Sequence, residues 1–173
     1  MYSLKIEIPA NVKVETENNV VKVSGEKGKI ERPFNEKEIK IEVKGNEVVV
    51  SSESERKKAG ALVGTIVAHI KNMMAGATKG FSYRLRVVYS HFPITVKVEG
   101  NNVLVQNFLG ERVPRAAKIV GNTEVKIEGS DLVVSGVNLE DVGQTASNIE
   151  QSTRIVGYDK RKFMDGVYIV ERG

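Results

Sequence analysis

The chain has 173 residues, room for one ordinary domain or two small ones. It carries 26 Lys+Arg against 22 Asp+Glu, a formal charge of +4 and a pI near 9.2, with 40% hydrophobic and 28% charged residues, as in a globular rather than a disordered chain. It has no Cys, which excludes disulfides, thiolate metal sites and Cys nucleophiles; with only His69 and His91 for imidazole chemistry, binding is favoured over catalysis and no metal or cofactor is expected.

The N-terminus, Met1-Tyr2-Ser3-Leu4-Lys5, lacks a signal pattern, and no apolar run is long enough to span a bilayer. The expectation is a cytoplasmic protein with no membrane partner. Ile6–Ile8, Val12–Val14, Val21–Val23 and Ile39–Val43 alternate apolar and charged residues, the period of half-buried antiparallel strands. Gly25-Glu26-Lys27-Gly28 reads as a hairpin turn rather than an RNA-clamping loop, which needs flanking helices. Lys44-Gly45-Asn46 is a turn into Val48–Val50.

A helix follows. Ser52 and Glu55 have the spacing of a capping box. Ala59, Leu62, Val63, Ile66, Val67, Ile70, Met73 and Met74 then recur at three and four residues, and Gly76 is the predicted stop. The two methionines are read as core, and His69, beside this stripe, as a core or rim imidazole. From Arg56 to Val98 there is no Asp or Glu in 43 residues, while eight cations occur. Smaller cationic clusters lie at Arg112, Arg115 and Lys118 and at Arg154, Lys160, Arg161 and Lys162, a pattern suited to a polyanion.

The chain repeats itself. Val12–Glu15 returns as Val96–Glu99, Asn18–Val21 as Asn101–Leu104, Ile39–Glu42 as Val125–Glu128, and Glu47–Ser51 as Asp131–Ser135, in the same order and at offsets of 83 to 86 residues. Lys79-Gly80-Phe81 and Arg161-Lys162-Phe163 extend the echo at offset 82. In the second copy Asn138 is the predicted cap with Asp141 three residues on, Val142, Ala146, Ile149 and Thr153 form the stripe, and Gly157 ends the helix. The expected fold is α+β, with two tandem, internally duplicated domains over 1–81 and 82–173, each an antiparallel β-sheet covered by one α-helix. The repeat suggests that Phe81–Val88 packs in the first sheet, with the second left open.

Chemistry is thin outside the loops that follow the helices. His91 has no carboxylate close in sequence, and Asp159 and Asp165 lie among cations, which favours salt bridging over acid–base work. The loop from Arg154 to Tyr168 combines four cations with Tyr158, Phe163 and two glycines. Cations neutralise phosphates, glycines admit close backbone approach, and aromatic rings stack on unpaired bases. Phe163 is expected in the core and Tyr168 partly so. Lys160, Arg161 and Lys162 repel one another unless a polyanion is present.

Two stretches carry a family resemblance. His69 to Phe81, with Tyr83-Arg84 and Val88 to Ile94, and the tail Ile149 to Arg154 with Lys160 to Tyr168, resemble the L-six family of large-subunit ribosomal proteins in its archaeal and eukaryotic form. The tail departs from the bacterial branch. A Cys-free chain rich in Glu, Lys, Val and Ile suits a thermophilic archaeon.

The resemblance implies a non-enzymatic component of the large ribosomal subunit, with large-subunit ribosomal RNA and neighbouring ribosomal proteins as partners. It implies RNA binding chiefly through the second domain, near the sarcin–ricin loop and the factor-binding stalk base, in proximity to translational GTPases. The RNA-contacting candidates it implies are Gln151, Ser152, Thr153, Arg154, Lys160, Arg161 and Lys162, with Asp165, Gly166 and Tyr168 shaping the loop, and more weakly Lys71, Asn72, Lys79 and Gly80. The alternatives are a free-standing protein-interaction module with two β-sheet domains and a small carboxylate hydrolase; the latter needs a pocket with paired carboxylates of raised pKa.

Overall fold

Alternating burial sets the strands of the computed structural model, which describes residues 1–173. In β3 (Val20–Gly25), Val21 and Val23 are fully buried while Lys22 between them faces solvent. The same alternation runs through β5 (Ile39–Lys44) and β6 (Glu47–Ser52). With β1 (Tyr2–Glu7), β2 (Lys13–Glu17) and β4 (Gly28–Pro33), these strands form two antiparallel sheets of order β1-β6-β5 and β2-β3-β4. Helix α1 (Lys57–Thr78) packs across both, on β1 and β6 of one sheet and β3 and β4 of the other. Its stripe is buried as predicted at Ala59, Val63, Ile66, Val67, Ile70, Met73 and Met74. The chain divides into compact units at Gly80/Phe81.

The second unit repeats this plan and adds one strand. β7 (Phe81–Val88), β11 (Glu124–Glu128), β12 (Asp131–Gly136) and β13 (Gly166–Arg172) form a sheet of order β11-β12-β7-β13, and β8 (Thr95–Glu99), β9 (Asn102–Gln106) and β10 (Arg115–Lys118) form a second of order β10-β9-β8. Helix α2 (Leu139–Ser152) packs against β10 on one side and β7, β12 and β13 on the other. Its core gathers Leu85, Val103, Leu132, Val134, Val142, Ala146, Ile149 and Val167. Thus β7-β12-β11 corresponds to β1-β6-β5, β8-β9-β10 to β2-β3-β4, and β13 is the addition. The α+β class, the duplication and one helix per unit hold, with the strands of each unit shared between two small sheets. The strand 81–88 belongs to the second unit, because β12 and β13 hydrogen-bond to its two edges.

The helix ends differ from expectation in three places. Ser52 does not cap α1: it is still the last residue of β6, paired with Tyr2 and Ile39, and its hydroxyl donates to the Glu38 carbonyl at 2.9 Å. The helix begins after an extended Arg56 with no side-chain cap. Gly76 does not stop it either; Gly76 is buried in the last turn, and the chain leaves the helix at Gly80 (φ +72°), whose N–H donates to the Gly76 carbonyl at 2.9 Å. The predicted turn Gly25–Gly28 joins β3 to β4 and closes against this helix end, where the Lys27 N–H donates to the Ala77 carbonyl at 2.9 Å. A Cβ on Gly25 would fall 2.5 Å from that carbonyl oxygen. In α2, Asn138 caps as predicted, its side chain accepting from the Glu140 N–H at 3.1 Å, with Glu140 and Asp141 favourably placed in the first turn. The helix ends at Ser152 rather than Gly157, with Thr153 as its C-cap.

Candidate nucleic-acid interface

A helix C-terminus leaves carbonyl groups without partners and carries partial negative charge. At α2 the last carbonyl is met by Arg115 of β10. Its Nη1 donates to the carbonyls of Ser152 and Arg154, each at 3.0 Å. Its Nε and Nη2 donate to Glu111 at 2.9 and 2.7 Å, and the guanidinium lies 4.5 Å from the centre of the Phe108 ring. The hydrogen bond from Arg115 holds the Glu111 carboxyl below its ordinary range, outweighing the opposing effect of burial. Arg115 was expected in a polyanion-binding cluster; its donors are instead spent on the fold, and only Arg112 and Lys118 of that cluster stand exposed.

The loop beyond α2 is framed from inside. Thr153 is buried; its hydroxyl donates to the Glu150 carbonyl at 3.1 Å and accepts from the Val167 N–H at 3.0 Å, tying the helix end to β13. Gly166 (φ +152°) lies between, and a Cβ there would sit 3.1 Å from the Thr153 hydroxyl and 3.3 Å from the Tyr168 oxygen. Tyr168 passes over this glycine, with its hydroxyl donating to the Met164 carbonyl at 3.1 Å. Burial, followed by the charges of Asp165 and Glu150, raises the Tyr168 pKa, so the phenol keeps its proton.

Asp165 fixes the other side of the loop. Fully buried, it accepts from the Ser90 N–H (3.3 Å), the Ser90 hydroxyl (3.1 Å), the His91 N–H (3.3 Å) and His91 Nδ1 (3.2 Å). Burial pushes its pKa up, but the bonds from His91 and Ser90 together outweigh it and hold the carboxyl below its ordinary value. His91 therefore does have a carboxylate partner, supplied across the fold. Its ring stacks on Phe163 with centroids 4.4 Å apart, and Tyr158 packs on Phe163 at 4.7 Å. Phe163 is half-buried against Val105, Phe108 and Ile155, as the core expectation has it in part, while Tyr168 is 39% exposed.

The arrangement is not a catalytic triad. Ser90 Oγ and Asp165 Oδ1 both approach the same nitrogen, His91 Nδ1, at 3.1 and 3.2 Å, so no relay runs through the imidazole from one to the other. Each carboxyl group with a displaced pKa is displaced downward, toward the charged form rather than toward a general acid.

The cations sit on a tight turn. The Asp159 carbonyl accepts from the N–H groups of Lys162 (3.0 Å) and Phe163 (2.9 Å), and its carboxylate accepts from the Arg161 N–H at 3.0 Å and its guanidinium at 3.2 Å. The hydrogen bonds from Arg161 lower the Asp159 pKa. Arg161 is thus partnered, whereas Arg154, Lys160 and Lys162 are exposed and form no ion pair.

The structure sorts the sequence-predicted residues into two groups. Gln151, Arg154, Lys160, Arg161, Lys162 and Tyr168 present side chains to solvent, and four of them, Gln151, Arg154, Lys160 and Tyr168, line one surface cleft. Thr153, Asp165 and Gly166 are buried and hold the loop from within, and the half-buried Ser152 turns its hydroxyl to the Ile149 carbonyl at 2.6 Å. Asp165 and Gly166 thus shape the loop in the way the resemblance implies, while the hydroxyls of Ser152 and Thr153 are engaged within the chain. In the first unit, Lys71 and Asn72 are exposed on the last turns of α1, Lys79 is exposed beyond it, and Gly80 is its terminating residue. Sequence reading missed Arg115, Glu111, Ser90 and Phe108 as parts of this frame; Glu111 and Arg115 are only four residues apart, but Arg115 and Ser90 also bond to groups 37 to 75 residues away that no local pattern announces.

Comparison with known proteins is consistent along the chain. The sequence profile of the family described as Ribosomal protein L6 matches residues 8–80 and 92–166. The large ribosomal subunit protein uL6 of Methanosarcina mazei is 52% identical over 167 residues, covering 96% of this chain and 95% of that protein. The protein of the same name from Ignicoccus hospitalis is 47% identical over 172 residues, with 96% and 92% covered. That from Aeropyrum pernix is 47% identical over 169 residues, with 97% and 93% covered.

Proposed function

The chain belongs to the ribosomal protein L6 family, and from that premise we propose that it is a structural constituent of the large ribosomal subunit, not an enzyme, and that it braces ribosomal RNA with the loop between α2 and β13. Its relatives are archaeal components of that subunit by name, so the working place is the cytoplasmic ribosome. The observation that carries the RNA reading is the contrast at this loop between buried polar groups that are all satisfied and three exposed cations that are not.

Like charges held close together on a fixed turn repel, and a polyanion removes that cost. Arg154, Lys160 and Lys162 are the phosphate contacts in this reading. Arg161 joins them readily, because an exposed pair such as Arg161–Asp159 is worth little and is easily exchanged for phosphate. Gln151 and Tyr168 add polar and stacking contacts, and Lys71, Asn72, Lys79 and Gly80 form a weaker contact of the first unit. Phosphate contacts fix position without reading duplex sequence, which suits a brace at an RNA helix junction. The junction proposed is the one beside the sarcin–ricin loop and the factor-binding stalk base, with neighbouring ribosomal proteins around it and translational GTPases docking nearby.

The test is a salt titration of binding to large-subunit ribosomal RNA, with the wild type and a variant carrying Ala at Arg154, Lys160 and Lys162. These side chains support nothing in the fold, so circular dichroism should not change. The variant's plot of log affinity against log salt should be shallower by about 2 to 3, the loss of three phosphate contacts. A variant with the wild-type slope would remove these residues from the interface, and a flat wild-type slope would overturn RNA binding itself.

A further inference from the structure

Phosphate bracing leaves one feature of the loop unexplained. Beside the cation turn lies a cleft of about 270 Å³, walled by Ile155, Phe163 and Tyr168, flanked by Arg154 and Lys160, and lined also by Glu150. A bare phosphate gains nothing from apolar walls, and a carboxylate repels it. The walls are also rigid. Phe163 packs on His91 and on Tyr158, Tyr168 is anchored through its hydroxyl, and Ile155 is buried. Glu150 is oriented by the Ile169 N–H, which donates to its Oε1 at 3.2 Å, while its Oε2 makes no hydrogen bond within the chain.

These parts match one ligand chemistry together. A planar base packs on the exposed ring of Tyr168 beside Phe163, its phosphate meets Arg154 and Lys160, and an edge bearing N–H groups meets Glu150. The volume falls just below that of drug-sized pockets, as suits a single base rather than a larger ligand. Guanine places two N–H donors side by side on its Watson–Crick edge, facing a carboxylate that only accepts. We infer that this cleft seats one unpaired nucleotide of the bound RNA, with guanine preferred, so that the loop reads a splayed base in addition to gripping the backbone. The inference rests on the RNA-binding reading above.

The experiment is a titration of the full chain with GMP, UMP and inorganic phosphate, observed at the ring resonances of Phe163 and Tyr168 by NMR, with Glu150→Gln as the variant. The variant keeps a carbonyl oxygen for the Ile169 N–H and so preserves the fold, which circular dichroism checks. GMP should shift both rings saturably and bind about tenfold more tightly than UMP, the worth of one charge-assisted hydrogen bond. Phosphate alone should leave the rings unmoved, and Glu150→Gln should abolish the preference. Ring shifts reproduced by phosphate, no saturable shift with GMP, or a preference that survives Glu150→Gln would each overturn the base seat. If the salt slope on ribosomal RNA stays steep while the nucleotide preference is absent, the base seat fails alone; a flat slope removes the reading beneath it.

Discussion

Replacing Asp165 with Asn should loosen the interface loop without removing any exposed cation. The carboxylate accepts four hydrogen bonds, three at Oδ1 and one at Oδ2. In Asp165→Asn one oxygen becomes an NH2 donor. Placed at Oδ2, it faces the His91 N–H and loses that bond, and the three bonds at Oδ1 become neutral. A lost bond with a donor left unpaired costs about 1–3 kcal/mol, and a change from charge-assisted to neutral costs about 1 kcal/mol per bond. The neutral amide is easier to bury, which offsets about half of this gross loss of about 4–6 kcal/mol. The net loss is about 2–3 kcal/mol, a fall in Tm of about 10–20 °C for a unit of this size.

The pH dependence follows from the depressed carboxyl pKa. A group whose pKa is lower folded than unfolded stabilises fully above the unfolded value and loses that contribution as pH falls through the folded one. The Tm gap between wild type and variant should therefore be constant around neutrality and close only in acid, below the ordinary Asp value of about 3.9. Calorimetry across pH checks both points. A gap below about 3 °C at neutral pH, or one that closes near neutrality, would refute the account of Asp165 as a charged hub.

Two other substitutions probe the frame. Arg115→Ala should cost about 2 kcal/mol in urea denaturation, since it uncaps two carbonyls at the end of α2 and removes the stack on Phe108. Arg115→Lys should recover less than half of this, because one ammonium cannot span both carbonyls and Glu111. Gly25→Ala should destabilise the first unit by about 1–3 kcal/mol, because its Cβ would meet backbone at Ala77. Hydrogen exchange should then quicken at the Lys27 amide, whose bond to Ala77 closes the turn on the helix.

Strands, turns and the duplication were legible because each rests on a local signal. Period-two alternation marks Val21 and Val23, a left-handed glycine marks Gly45, and offsets near 84 residues mark the copies. The helix ends were legible only where the partner was local, as at Asn138. Ser52 has capping chemistry, but β6 claims it through pairing on both sides, and the stop at Gly76 is overridden because Gly80 and the 25–28 turn complete the last turn. The site divides in the same way. Clustered cations can be read along the chain, and so can the salt bridging of Asp159, which takes up Arg161 two residues on; the carbonyls that Arg115 caps, 37 and 39 residues away, cannot. The carboxylate partner of His91 lies 74 residues further on and was invisible for that reason.

The central claim is tested most directly by a map of the assembled large subunit at side-chain resolution. It should place the Arg154, Lys160 and Lys162 side chains within hydrogen-bonding distance of ribosomal RNA phosphates, with the Asp165 frame unchanged. A map in which these three side chains face solvent or only protein would contradict it.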